Sequence, residues 1–331
     1  MSRGQDLRRG DGSMPVEQPV SPREADSSAI DRRSFMKLGA AGAALTALST
    51  SSCAPGGEAG GGGGEGGSGS EAWWLDEVFE LEEVTVAELA EQMASGARTS
   101  EEITGLYLDR IAALDRDGPR LRSIIETNPE ALQVARQLDE ERADGNVRGP
   151  LHGVPIVLKD NIDTADMPTT AGSFMLAGSM PPDDAFLVQR LREAGAIIIA
   201  KVNLSEFASG DAMSSWGGPT FNPHDPARSP SGSSGGTGAA IAAAYAAFGL
   251  GTDTGGSVRG PSSANGIVGL KPTHGLLSRD GIVPLALSFD TAGPMARSVY
   301  DVAASLNVLA GVDSADPATA KADGNVEDDY T

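Results

Sequence analysis

The chain has 331 residues and a formal net charge of −21, because 46 acidic residues outnumber 25 basic ones. A chain this acidic lacks the basic surface that binds phosphate backbones, which argues against a nucleic-acid partner. With a single cysteine and three widely separated histidines, the sequence offers neither a disulfide framework nor a spacing of metal ligands. We therefore expect no metal and no other cofactor.

The N-terminal segment has the features of an export signal. The sequence DRRSFMK at residues 31–37 resembles a twin-arginine signal, and the mildly apolar run at residues 38–48 is too short for a permanent membrane span. Cys53 lies where a lipoprotein signal places its lipidated cysteine, although Thr50 stands where such signals favour leucine. We expect residues 1–53 to direct export by the twin-arginine pathway to the periplasm or another extracytoplasmic site, with membrane anchoring through lipid on Cys53. The alternative is a disordered basic tail.

A linker and a helical region follow. Residues 54–77 are rich in glycine, a composition that cannot bury a core and behaves as a flexible tether. From residue 78 onward the pattern becomes helical. Thr85 and Ser100 are the predicted N-caps of two helices, and a third helix is predicted over residues 129–142.

Short apolar runs then alternate with helices. Strands are predicted at residues 154–158, 197–200 and 266–270, with a helix near residues 184–194 between the first two. This alternation predicts one α/β domain over residues 78–331, built on a mixed β-sheet sandwiched by helices on both faces.

Three features of this domain carry candidate chemistry. Lys159 ends the first predicted strand, and two glycine- and serine-rich loops follow, SGSSGG at residues 231–236 and GTDTGGS at residues 251–257. The first loop leads into a helix of small residues, so that its amides lie at a helix N-terminus, and the glycines of the second allow N–H groups to converge on one point. One helix fits between Ser233 and Ser257, which allows the loops to meet. The alternative is that Lys159 forms an ordinary ion pair and that both loops are linkers or anion-binding turns.

Several separated motifs, in the same order, resemble the amidase signature family. They are GPLHGVP at residues 149–155, KDN at residues 159–161, AGAIIIAKVN at residues 194–203, the two loops, and GIVGLKPT at residues 266–273. The resemblance implies the layered α/β architecture of that family. It also implies an amidohydrolase that cleaves a carboxamide to a carboxylate and ammonia or an amine.

The resemblance assigns roles to three side chains. Ser257 matches the nucleophile of the family, Ser233 its serine with a cis peptide bond, and Lys159 its general base. Because a free lysine has a pKa of about 10.4, burial has to lower the pKa of Lys159 before its amine can take a proton from Ser257 through Ser233. The expected oxyanion hole consists of four backbone N–H groups, those of Thr254, Gly255, Gly256 and Ser257.

Two charged residues flank the predicted nucleophile. Arg259 stands where some members of the family bind a substrate carboxylate, but it could equally anchor the loop to a carboxylate of the protein, and both interpretations stay open. Asp253 is expected to accept backbone amides rather than to transfer protons.

A different hydrolase has to be considered. The segment GSSGG at residues 232–236 fits the Gly-x-Ser-x-Gly elbow of α/β-hydrolases, and Asp253 and His274 follow it in the appropriate order. An elbow needs a hydrophobic strand before its serine, whereas residues 222–230 are irregular and broken by prolines. The elbow is therefore the weaker interpretation.

The expected partner is a small-molecule or peptide amide substrate. Residues 278–284 and 290–298 look more like amidases that remove C-terminal amides from peptides than like the ammonia-releasing subunit of tRNA-dependent amidation. Two alternatives stay open, an anchored lipoprotein that binds without catalysis and that amidotransferase-like subunit. Members of the family continue beyond the point that matches residue 331, so we expect a C-terminal part of the fold to be missing. The sequence does not indicate an oligomeric state.

Overall fold

The computed structural model describes residues 79–331. The predictions for the export signal, for Cys53 and for the glycine-rich linker concern residues outside this part. Within residues 79–331, no helix combines the length and the apolar character needed to cross a membrane.

Helices and strands alternate along the described part of the chain. The helices are α1 (Val86–Ala94), α2 (Ser100–Ile111), α3 (Ala131–Ala143), α4 (Phe186–Glu193), α5 (Gly235–Ala242), α6 (Arg259–Ala264) and α7 (Val299–Leu309). The strands are β1 (Ile124–Thr127), β2 (Pro155–Lys159), β3 (Ile197–Val202), β4 (Met213–Ser214), β5 (Gly218–Pro219), β6 (Phe248–Asp253), β7 (Val268–Gly269) and β8 (Thr291–Ala296).

The main sheet has the strand order β1-β3-β2-β6-β8-β7. Strand β2 runs parallel to both β3 and β6, whereas the pairs β1–β3, β6–β8 and β7–β8 are antiparallel. Every residue of β2, β3 and β6 is buried, as expected for central strands covered by helices. The prediction of a mixed α/β sheet flanked by helices is confirmed.

Helix α5 is composed of small residues because it packs unusually close to the sheet. It is buried from Gly235 to Ile241. A Cβ atom on Gly236 would lie 2.1 Å from the backbone oxygen of Asn203, just beyond β3, so only glycine fits there. This close approach holds the loop before α5 against the ends of the central strands.

One predicted helix cap is wrong by a residue. Thr85 caps α1 as predicted, in a capping box with Glu88. The cap of α2, however, is Thr99, whose hydroxyl accepts the N–H of Glu102 at 3.1 Å. Ser100 is the first residue of α2, and its N–H donates instead to Asp139 Oδ1 at 2.7 Å.

The predicted strands lie where they were expected, but the structure also contains strands that were not predicted. The runs at 154–158 and 197–200 form β2 and β3, while the run at 266–270 yields only the two residues of β7. Residues 251–253, predicted as loop, belong to β6, so the loop proper comprises residues 254–258. Strand β8 was not predicted, because its sequence TAGPMA contains glycine and proline, both of which are uncommon in strands.

Candidate active site

The amine of Lys159 lies at the centre of a buried polar site. Lys159 is the last residue of β2, and its side chain is fully buried. Its Nζ lies 2.7 Å from Ser233 Oγ and 2.8 Å from Thr252 Oγ1, with the carbonyl oxygen of Thr252 at 3.3 Å. Because β2 and β6 are parallel neighbours, their carboxyl ends bring Lys159 and Thr252 to the same edge of the sheet.

Burial changes the acidity of this amine. Removal from water disfavours the ammonium form and lowers the pKa of Lys159 to about 7, although Asp253 and Asp290 oppose the shift through their charge. Within the described chain, Lys159 forms no ion pair of the ordinary kind, and its near neighbours are hydroxyl and carbonyl oxygens. The interpretation of Lys159 as half of a simple ion pair is therefore not supported.

Ser233 is held by backbone contacts on both sides. The peptide bond between Gly232 and Ser233 is cis. The carbonyl of Ser233 accepts the N–H of Ser205 at 3.0 Å, and a Cβ atom on Gly232 would lie 2.4 Å from the carbonyl oxygen of Gly210. The serine hydroxyl is buried and faces the amine of Lys159.

The two loops meet, as the spacing predicted. The chain leaves the first loop through α5, returns through β6 and reaches Ser257, which is partly buried. The N–H of Ser234 donates to the carbonyl of Ser257 at 3.1 Å, and the Ser234 hydroxyl lies 3.2 Å from the carbonyl oxygen of Thr252. The structure thus joins Lys159 to Ser233 directly and joins Ser257 to the same cluster through the backbone.

Asp253 organises the loop after β6. Its buried carboxylate accepts the N–H groups of Gly256 at 2.8 Å and Val258 at 3.0 Å, and also the Arg259 Nε at 3.1 Å. Burial acts to raise the pKa of Asp253, but these hydrogen bonds outweigh burial and hold the pKa well below its usual range. Asp253 is the backbone acceptor that was expected.

Two parts of the predicted site need correction. The N–H of Gly256 points at Asp253 and is not available as an oxyanion donor, which leaves the N–H groups of Thr254, Gly255 and Ser257. The guanidinium of Arg259 contacts Asp253 with both Nε and Nη2, so Arg259 anchors the loop to a carboxylate of the protein. Of the two interpretations left open for Arg259, the structure supports the anchor.

The α/β-hydrolase alternative finds no support. Asp253 is engaged by Arg259 and backbone amides, and the His274 Nε2 lies 3.2 Å from the carbonyl oxygen of Leu287. In the described chain, neither group contacts Ser233. Residues 79–331 also contain no group of three or more histidine, cysteine or acidic side chains arranged to hold a metal ion.

Three residues around the site were missed at the sequence level. Thr252 binds the amine of Lys159, Lys271 binds backbone carbonyls of the loop, and Asp290 accepts the hydroxyl of Thr254. All three lie in segments noted in the sequence, Thr252 in the second loop, Lys271 in GIVGLKPT and Asp290 in residues 290–298, but the pattern gave none of them a role. Their contacts become recognisable only when β6 is paired with β2 and β8.

Comparison with known proteins identifies the family of the chain. The Amidase family model matches residues 102–331. A glutamyl-tRNA(Gln) amidotransferase subunit of Acidothermus cellulolyticus is 47% identical over 234 residues, which cover 70% of this chain and 46% of that protein.

Solved structures give a similar result. The native peptide amidase of Stenotrophomonas maltophilia aligns with a TM-score of 0.72 at 55% identity, covering 73% of this chain and 51% of that one. An amidase family protein of Bacillus anthracis strain Ames aligns with a TM-score of 0.72 at 41% identity, covering 74% of this chain and 50% of that one. The chain therefore spans about half the length of the relatives it matches.

Proposed function

Since the chain belongs to the amidase family, we propose that it hydrolyses a carboxamide to a carboxylate and ammonia or an amine through an acyl-enzyme on Ser257. The observation that carries this proposal is the 2.7 Å contact between the buried Nζ of Lys159 and Ser233 Oγ. With its pKa lowered to about 7 by burial, Lys159 is substantially neutral near pH 7 and has a lone pair to offer.

In the proposed relay, a proton moves from Ser257 through Ser233 toward Lys159 when the amide is attacked, and a proton moves back through Ser233 when the nitrogen leaves. Neutral Lys159 accepts the hydroxyl proton of Ser233 while Ser233 Oγ accepts the proton of Ser257, and Ser257 Oγ bonds to the carbonyl carbon of the amide. When the tetrahedral intermediate collapses, the carbon–nitrogen bond breaks and the proton returns through Ser233 to the leaving nitrogen. Water then attacks the ester, gives its proton to the same relay, and Ser257 recovers its hydrogen as the carboxylic acid leaves.

The developing oxyanion needs donors close to Ser257. Because the N–H of Gly256 donates to Asp253, the N–H groups of Thr254, Gly255 and Ser257 are the proposed donors. Removal of a single such donor typically costs about 2.7–4 kcal/mol of transition-state stabilisation. The mechanism assigns no step to a metal or cofactor.

The proposed substrate class is the C-terminal amide of a peptide. The 55% identity to a peptide amidase supports this class. The 47% identity to an amidotransferase subunit favours a second candidate, release of ammonia from an amide for tRNA-dependent amidation. The net charge of −21 disfavours a role next to tRNA. Release of ammonia from amidated peptides but not from glutamine would favour the peptide amidase, and the opposite preference would favour the amidotransferase.

A serine-directed probe tests the proposed nucleophile. The full chain is treated with a fluorophosphonate, and ammonia release is measured across a panel of amides. We expect Ser257→Ala to abolish both labelling and ammonia release, and the matched variant of the exposed Ser263, Ser263→Ala, to retain both. A chain that neither labels nor releases ammonia would instead be a binding protein.

Export is a separate proposal, carried by the sequence of residues 31–53. Fractionation of cells that produce the full chain tests it. We expect replacement of Arg32 and Arg33 by lysine to keep the protein in the cytoplasm, and Cys53→Ser to release an exported protein from the membrane fraction. Unchanged fractionation of both variants would remove the proposal.

A further inference from the structure

Lys271 binds the backbone at the end of β6 and at the start of the loop that follows, although the proposed relay assigns no step to Lys271. Its Nζ donates to the carbonyl oxygens of Asp253 at 2.9 Å, Thr254 at 2.6 Å and Phe289 at 3.1 Å. The same atom lies 3.3 Å from Asp253 Oδ1. The three donors of the ammonium are thus all occupied, two of them by the consecutive carbonyls of Asp253, the last residue of β6, and Thr254, the first residue of the loop.

The planarity of the peptide bond gives these contacts a consequence. In a trans peptide the C=O of one residue and the N–H of the next point in opposite directions. Because Lys271 draws the carbonyls of Asp253 and Thr254 toward itself, the N–H groups of Thr254 and Gly255 face away from it. These are two of the three donors that are left for the oxyanion.

The rest of the loop is held in a different way. The carboxylate of Asp253 takes the amides of Gly256 and Val258, and the carbonyl of Ser257 accepts the N–H of Ser234. None of these bonds reaches the carbonyls of Asp253 and Thr254. The pairing of Asp253 with Thr291 of β8 holds the end of β6, and Lys271 binds both carbonyls, while the Thr254 side chain is bound by Asp290.

We propose that Lys271 is a positioning residue that orients the Thr254 and Gly255 amides toward the oxyanion of the tetrahedral intermediate. A positive charge at the carbonyl end of a peptide also polarises the N–H at its other end, which strengthens the donor. Lys271 therefore contributes both direction and strength without touching the substrate. This inference rests on the proposed amidohydrolase function and adds a residue to its machinery.

The test compares Lys271→Met with Lys321→Met, a matched change at an exposed lysine outside the loop. For the full chain, kcat and KM are measured with the best substrate of the amide panel, and the affinity of a peptide aldehyde, which forms a tetrahedral adduct with serine, is measured in parallel. In Lys271→Met we expect kcat and aldehyde affinity to fall together by between about 10- and 1,000-fold, with KM changed by less than about twofold.

The outcomes separate the two proposals. An active unaltered chain in which Lys271→Met retains its kcat and aldehyde affinity overturns the role of Lys271 and leaves the proposed function intact. An unaltered chain that releases no ammonia from any amide overturns both. If Lys271→Met fails to fold, Lys271→Arg is measured instead. Because the donors of a longer, planar guanidinium lie in other positions than those of the ammonium, kcat is expected to fall, and full kcat overturns the role of Lys271.

Discussion

Two lysines on neighbouring strands, Lys159 and Lys201, have the same burial and different surroundings. Lys159 ends β2, Lys201 lies in β3, and both side chains are completely buried. Lys201 stands beside Leu158 in the parallel register, so that Lys159, one residue further along, points to the opposite face of the sheet. The ends of the two strands therefore form two separate polar environments within one sheet.

The difference lies in the nearest acceptor. Lys201 Nζ lies 3.0 Å from the carboxylate oxygen Oδ1 of buried Asp160, and it donates to Thr169 Oγ1 at 2.9 Å. Among residues 79–331, the hydrogen-bond partners of Lys159 Nζ are hydroxyl and carbonyl oxygens alone. Burial lowers the pKa of both amines, and nearby carboxylates oppose the shift in both cases, Asp253 and Asp290 for Lys159 and Asp160 for Lys201. What differs is contact: Lys201 is half of a structural ion pair with Asp160, whereas Lys159, the proposed base, contacts hydroxyl and carbonyl oxygens.

Of the two lysines, Lys159 should have the larger effect on activity when its amine is removed. We expect Lys159→Met to lower kcat by about 10²–10⁴-fold, because the proton of Ser233 loses its acceptor. Stability should stay the same or rise, since methionine fills the space without a desolvated amine. Ammonia release and a urea unfolding curve measure the two effects, and an active Lys159→Met chain would remove the relay from consideration.

Removal of the amine of Lys201 should affect stability first. Lys201→Met leaves the carboxylate of Asp160 buried without its partner, and breaking a buried pair in this way costs about 3–5 kcal/mol. Urea unfolding measures the loss. The double variant Lys201→Met with Asp160→Asn should recover part of it, because the unpaired charge is gone. Equal stability losses in Lys159→Met and Lys201→Met would erase the contrast between the two environments.

The pH dependence should separate the two amines further. The pKa of Lys159 is about 7 in the folded chain, and that of an unfolded lysine is about 10.4. Between these two pH values, Lys159 therefore carries a proton in the unfolded chain but not in the folded one. The free energy of unfolding attributable to Lys159 therefore rises by up to about 1.4 kcal/mol per pH unit from pH 7 toward pH 10. kcat/KM should fall on the acid side as Lys159 becomes protonated near pH 7.

Lys159→Met is the control for this pH dependence. Its unfolding free energy should rise less steeply above pH 7 than that of the unaltered chain, by the amount that Lys159 contributes. Identical slopes in the two proteins would contradict the lowered pKa.

Local sequence patterns anticipated the positions of the proposed reactive groups better than the residues that hold them. Lys159 and the serine loops lie at the edge of the sheet where predicted, because strand ends and glycine-rich turns are properties of short segments. The ion pair of Lys201 with Asp160 was not anticipated, although both residues lie in noted motifs, since the contact forms only when β2 and β3 align.

The parts of the site and the fold that were predicted wrongly also depend on contacts that form only in the folded chain. Gly256 was predicted as an oxyanion donor because it lies within a glycine-rich run of consecutive amides, but its N–H turns toward the carboxylate of Asp253. Strand β8 lacks the residues typical of strands and exists because β6 and β7 pair with it from either side. Contacts to backbone carbonyls, such as those of Lys271, cannot be recognised from the order of side chains in the sequence.

The hydroxyl that binds each amine gives the finest test of the comparison. Thr252→Val removes the hydroxyl that lies 2.8 Å from Lys159 Nζ, and Thr169→Val removes the hydroxyl that lies 2.9 Å from Lys201 Nζ. Both changes keep nearly the same side-chain shape. Each should cost about 1 kcal/mol of stability. Because a hydroxyl that accepts from an ammonium favours the charged form, Thr252→Val should lower the pKa of Lys159 further and move the acid limb of kcat/KM to lower pH. Thr169→Val should leave that limb in place, and a shift of equal size in both variants would show that the two amines are not independent.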